Sequence, residues 1–96
     1  MKAEIRHYSK KIYKNGVIVE MCIWKVNASK EFPEGIKYRL ICVNPTKGIR
    51  VLIDNHSPKG HHYHLDDNEF EYEFNGVNKL ALDFKQFVLL HMRIEI

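Results

Sequence analysis

The apolar residues of this chain change their period once, and that change limits the fold more than any other feature. From Phe70 to Phe74 the apolar Phe70, Tyr72 and Phe74 alternate strictly with Glu69, Glu71 and Glu73. A period of two belongs to a strand with one face covered. Beyond Asn75 the apolar Val77, Leu80, Ala81, Phe84, Phe87 and Val88 recur at spacings of three and four, the stripe of a helix packed on a sheet. Asn75 is the expected N-cap of that helix.

Everything before the switch reads as strand and turn. Residues 3 to 14 mix apolar and charged positions and run into Asn15-Gly16, the strongest short hairpin signal, expected to form a type I′ turn with positive φ at both residues. Val17 to Val26 follows, apolar on both faces and so expected to be central and covered on both sides over part of its length. Asn27 to Gly35 lacks periodicity and reads as a loop. Ile36 to Val43 turns Ile36, Tyr38, Leu40 and Cys42 inward and Lys37 and Arg39 outward. Asn44-Pro45-Thr46-Lys47-Gly48 has the composition of a turn and leads to a strand over Ile49 to Ile53. Leu65-Asp66-Asp67-Asn68 is another turn. The expected architecture is α+β: a small antiparallel sheet of about five strands with a C-terminal helix packed on one face, one domain spanning residues 1 to 96.

Charge is asymmetric along the chain. Residues 1 to 50 carry 11 Lys/Arg against 4 Asp/Glu, and residues 51 to 96 carry 4 against 8. This permits a basic face for nucleic acid and an acidic one for a basic partner. No apolar run reaches membrane-spanning length and no signal-peptide core is visible, so a cytoplasmic location without membrane attachment is expected. Cys22 and Cys42 lie within apolar strand-like runs without metal or redox spacing and read as buried thiols. Glycine-rich phosphate loops, Ser-His-Asp order and helical His-Glu-x-x-His are missing, which excludes the commonest motif-bearing reaction classes. The apolar end of the helix, Leu89, Leu90, Met92, Ile94 and Ile96, is wider than one packing face needs. It is a candidate surface for a partner or a homodimer, or else it closes the chain's own core.

The functional residues concentrate between Asp54 and His64, expected to be a loop between two strands. Four of the 6 histidines, His56, His61, His62 and His64, sit there with Asp54, Asn55, Lys59 and Gly60. In an extended chain His62 and His64 share a face, while His61 and Tyr63 point the other way. One neutral and one protonated imidazole beside a lysine suffice for RNA cleavage without metal or other cofactor. The base takes the 2′-hydroxyl proton, the acid protonates the departing 5′-oxygen, and Lys59 stabilises charge on phosphorus. Asp54 would fix one imidazole tautomer, and Lys37, Arg39, His56 and Asn55 are candidates for holding substrate. Two other readings stand beside it: metal ligation by His56, His62 and His64 with Asp54, and a structural turn whose histidines bond to backbone. Gly60 beside Lys59 could also shape an anion-binding turn.

These blocks carry a resemblance to the TumE-like toxins of toxin–antitoxin pairs. It rests on Gly16-Val17-Ile18-Val19-Glu20-Met21-Cys22-Ile23-Trp24, Lys37-Tyr38-Arg39-Leu40, Arg50-Val51-Leu52, Asp54-Asn55, Lys59-Gly60, His62, His64 and Tyr72-Glu73-Phe74, in that order along nearly the whole chain. The resemblance implies a small toxin paired with a helix-turn-helix antitoxin, with ribonuclease activity the expected chemistry. Members often have an acidic residue where His61 stands and a more polar helix end. The alternative to an RNA-cleaving toxin is a non-catalytic interaction module, or a metal-binding domain, working through a partner protein.

Overall fold

The computed structural model describes residues 3–56 and 58–96; Met1, Lys2 and Ser57, the last inside the histidine-rich segment, lie outside the described residues. Six strands are followed by one helix: β1 (Glu4–Ile12), β2 (Ile18–Lys25), β3 (Ile36–Asn44), β4 (Ile49–Asp54), β5 (His62–Leu65), β6 (Asn68–Glu71) and α1 (Val77–Met92). The strands form one antiparallel sheet in chain order. The α+β architecture is as expected, with six strands rather than about five.

The additional strand is β5, in the segment expected to be a loop. It pairs Asp54 with His62 and Leu52 with His64 on β4, and His64 with Glu69 on β6. Histidine has no marked strand preference, so its pairing here follows from the tight reversal after it. Asp66 adopts φ 57°, which a short Asx side chain tolerates, and the β5–β6 connection shrinks to Asp66-Asp67. The aromatic alternation correspondingly breaks up. Phe70 lies on the edge strand β6, 42% exposed, while Tyr72 is buried just beyond it.

Helix α1 buries Leu80, Phe84, Val88 and Met92, one residue per turn. They pack with Val19 and Ile23 of β2, Tyr38, Leu40 and Cys42 of β3, and Val51 and Ile53 of β4 into the core. Tyr63 extends this layer, stacking between Phe70 and Phe87 at ring-centroid distances of 5.0 and 4.5 Å. Burial pushes the Cys42 thiol up to about 11, which keeps it protonated and inert; both cysteines are free, and Cys22 is only half-buried. Because α1 covers one face only, β2 is not enclosed on both sides: Val19 and Ile23 are buried, while Ile18, Cys22 and Trp24 on the opposite face stay half-exposed.

Two local expectations are corrected by the backbone. The first hairpin forms, but φ is positive at Gly16 (86°) and not at Asn15, so its turn is not type I′. Gly16 N–H donates to Tyr13 O (2.9 Å) and Tyr13 N–H to Val17 O (2.8 Å); a turn over Lys14-Asn15 with glycine in the left-handed position closes the strands. Asn15 Oδ1 accepts from the Val17 N–H, which spends its side chain in the turn. At the helix start the N-cap is Gly76 (φ 93°), with no side-chain cap; Asn75 instead donates to Glu73 O at 3.4 Å. Only glycine reaches that φ without strain, and the reversal from β6 into α1 needs it more than it needs a cap.

The apolar tail divides. Met92 is buried and Ile94 and Ile96 pack against the core, while Leu90 remains 58% exposed on α1, with Leu82 and Leu89 also exposed. Among the described residues no helix is long and apolar enough to cross a membrane.

Asp66 ties three elements together. Its Oδ1 accepts from the Arg50 N–H at 3.0 Å, its own N–H donates to Arg50 O at 3.0 Å, and its Oδ2 lies 3.0 Å from His91 Nε2 of α1. The Arg50 N–H, followed by His91, holds its carboxyl below the usual carboxylate range. A carboxyl with a lowered folded-state pKa stabilises the protein above its unfolded value, near 4, and loses that contribution as pH falls through the folded value. Acid unfolding of the Asp66→Asn variant is therefore expected to show a shallower loss of stability below about pH 4 than the parent, read by circular dichroism. Phe84→Ala, at the centre of the helix–sheet contact, is expected to cost about 3–5 kcal/mol, enough to bring a domain of this size close to unfolding in a urea titration.

Candidate functional site

The parity of β5 places its four side chains. Tyr63 and Leu65 turn toward α1, and His62 and His64 emerge on the opposite, uncovered face beside Asp54 and Leu52 of β4. The two imidazoles meet edge to face with centroids 5.0 Å apart. His61, on the other parity, is locked into the scaffold. Its ring stacks on Phe74 (5.0 Å) and Tyr38 (5.7 Å), with Nδ1 2.7 Å from the Tyr38 hydroxyl and Nε2 3.1 Å from Glu34 Oε2. Burial, the first of several causes, raises the Tyr38 pKa far above its ordinary value, so the phenol donates to His61.

His62 has both nitrogens engaged. Nδ1 is 2.7 Å from Gly60 O, and because a carbonyl only accepts, Nδ1 carries a hydrogen. Nε2 stands 2.7 Å from Asp54 Oδ1. That oxygen is buried and has no aligned hydrogen-bond donor, so the contact is close electrostatic apposition rather than a directed bond. His62, Asp54 and His64 keep 9%, 15% and 18% of their side-chain exposure. Desolvation, followed by the neighbouring His62 charge, lowers the His64 pKa, with Glu69 and Asp54 opposing.

Glu69 completes the group. Its Oε1 lies 3.5 Å from His64 Nε2, 4.0 Å from His62 Nε2 and 2.9 Å from Lys59 Nζ. The Lys59 bond, the largest cause, holds the Glu69 carboxyl below its ordinary range. Alternation alone gives Glu69 only as one of three glutamates on the face opposite Phe70, Tyr72 and Phe74. The signal that points to it is the two-residue Asp66-Asp67 turn, which sets position 69 opposite position 64.

The other expected residues are distributed unevenly. Arg39 pairs in register with Asp54 on the same face, but its guanidinium is 3.5 Å from Glu20. Lys37 lies further along β3, with Nζ 5.5 Å from the Trp24 ring centroid. His56 is exposed on the loop and is not among the residues that converge; its carbonyl accepts from the Gly60 N–H at 3.2 Å. Asn55 is no substrate ligand in this arrangement. It is buried, accepts from the Tyr38 N–H (2.9 Å) and donates to Ile36 O (2.8 Å), so its amide ends β4 by pairing the β3 backbone. The grouped set is Asp54, His62, His64, Glu69 and, through Glu69, Lys59.

No curated protein and no solved structure matches the chain. A family model described as Toxin TumE matches residues 2–91. The chain therefore belongs to the TumE toxin family, the toxin half of a toxin–antitoxin pair whose partner is an antitoxin.

Proposed function

We propose that this toxin acts on RNA as a metal-independent ribonuclease, with His62 and His64 as its acid–base pair. The observation that carries the reading is the 5.0 Å edge-to-face meeting of the two rings on the uncovered sheet face. His62, with Nδ1–H donated to Gly60 O and Nε2 beside Asp54, gives a proton to the departing 5′-oxygen. His64, whose proton affinity is lowered by desolvation and by the charge of neighbouring His62, takes the 2′-hydroxyl proton. Asp54 orients His62. Lys59, at the rim through Glu69, swings to the phosphoryl oxygens as charge develops there. Arg39 and Lys37, on the same face across β3, hold neighbouring phosphates, and exposed His56 contributes from the loop.

The antitoxin on this reading is a helix-turn-helix protein, and the pair works in the cytoplasm. A second reading, an interaction module without chemistry of its own, is favoured by one observation: Leu82, Leu89 and Leu90 of α1 are exposed together with Val77. A homodimer through α1 would cover them.

The readings separate in one assay. Purified chain, free of antitoxin and in excess chelator, is expected to cleave RNA. His62→Ala and His64→Ala are each expected to slow cleavage by about 10²–10⁴-fold while keeping the parent circular dichroism spectrum, and to relieve growth arrest. Cleavage and toxicity that survive both substitutions in folded protein would overturn the assignment.

A further inference from the structure

We propose that Asp54, His62 and His64 also form a binding site for one divalent transition-metal ion of the zinc type. His62 Nε2, a ring nitrogen of His64 and an Asp54 carboxylate oxygen would be its ligands. One ligand atom from each of the three residues lies within 4.8 Å of the others. Ligand atoms of a tetrahedral ion bound at about 2.0–2.1 Å are about 3.4 Å apart. The observed set, whose His62–Asp54 separation is 2.7 Å, brackets that value and needs only small side-chain rotations to meet it.

Three further observations favour a cation. First, the Nδ1–H of His62 is spent on Gly60 O at 2.7 Å. This is the outer hydrogen bond that fixes the tautomer of a metal-bound imidazole and aims the Nε2 lone pair inward. Second, His62 Nε2 stands 2.7 Å from Asp54 Oδ1 but off the axis of a hydrogen bond, and that oxygen is buried without any aligned donor. Two electron-rich atoms thus lie side by side largely away from water, and an ion bound to both satisfies them. Third, the fourth position has an occupant at hand. Glu69 Oε1 is 3.5 and 4.0 Å from the two Nε2 atoms, held there by Lys59, and a water can take its place.

Two imidazoles and a carboxylate are borderline to hard ligands, suited to zinc and its neighbours rather than to calcium or magnesium, which take all-oxygen shells. The ligands sit on the adjacent paired strands β4 and β5, whose ladder holds their spacing. His56 is not in the set, so the trio is narrower than the four-residue group that spacing alone suggests. The ion takes the nitrogen of His62 that the ribonuclease reading uses, so, resting on that reading, bound metal silences the RNA chemistry.

The test is a titration of the chelator-stripped chain with Zn²⁺ against a chromogenic competitor. One ion per chain is expected, with affinity reduced at least tenfold in Asp54→Asn and in His64→Ala and unchanged in His56→Ala and His7→Ala. Because a substitution at a covered position could unfold the chain, Co²⁺ is added to the wild-type protein as well. Visible ligand-field bands of a tetrahedral nitrogen–oxygen site, bleached by Zn²⁺, are expected. Binding of less than one ion, a Co²⁺ spectrum of the aqueous ion, or full affinity in folded Asp54→Asn and His64→Ala would overturn the site. Zn²⁺ that binds and accelerates RNA cleavage would overturn the antagonism. Loss of metal binding with chelator-resistant RNA cleavage intact would remove this inference alone, and metal binding without cleavage in the stripped protein would remove the ribonuclease reading alone.

Discussion

The docking of a single helix on a six-stranded sheet is the constraint from which the rest of the molecule follows. Leu80, Phe84, Val88 and Met92 cover one face of the strands, and burial of apolar area is the main favourable contribution to folding. Among the described residues there is no second helix for the other face. Its residues meet one another in polar pairs: Tyr8 with Glu20, Arg39 with Glu20, His62 with Asp54, and His64 and Lys59 with Glu69. The half-buried charged groups of the candidate site are thus a direct result of covering only one side.

Chain-order strand pairing also converts charge along the sequence into charge across space. Of the basic residues of the first half, Arg6, Lys10, Lys11, Lys25, Lys37 and Arg39 lie on β1 to β3, and of the acidic residues of the second half Asp54 lies on β4 and Glu69 and Glu71 on β6. The histidine pair sits at the acidic end of this gradient, one strand from Asp54 and two from Arg39. On the proposed ribonuclease reading, phosphates drawn to the basic half cross Arg39 to reach His64.

Much of this could be read from residue order, and the exceptions have physical causes. The helix was legible because Val77, Leu80, Phe84 and Phe87 recur at mixed spacings of three and four, which a period of two does not produce, and β3 because Tyr38, Leu40 and Cys42 alternate. The shared face of His62 and His64 followed from the same parity rule. What escaped detection depended on partners distant in sequence or on backbone angles. Asn55 looks like a loop ligand until β3 supplies two backbone groups for its amide. Asn15 and Asn75 carry strong local preferences that neighbouring glycines override. Glu69 is indistinguishable from Glu71 and Glu73 until the length of one turn sets it opposite His64, with Glu71 opposite His62.

Every ladder in the sheet joins neighbours in the chain, with consequences for how the molecule assembles. Each pairing closes a short loop, so hairpins form at little entropic cost and the meander grows strand by strand. Docking of α1, which lies chiefly along β4, is the long-range step. Ordering of Asp54, His62 and His64 needs only the β4–β5–β6 pairings, and so can precede the closing of the apolar layer on the far side.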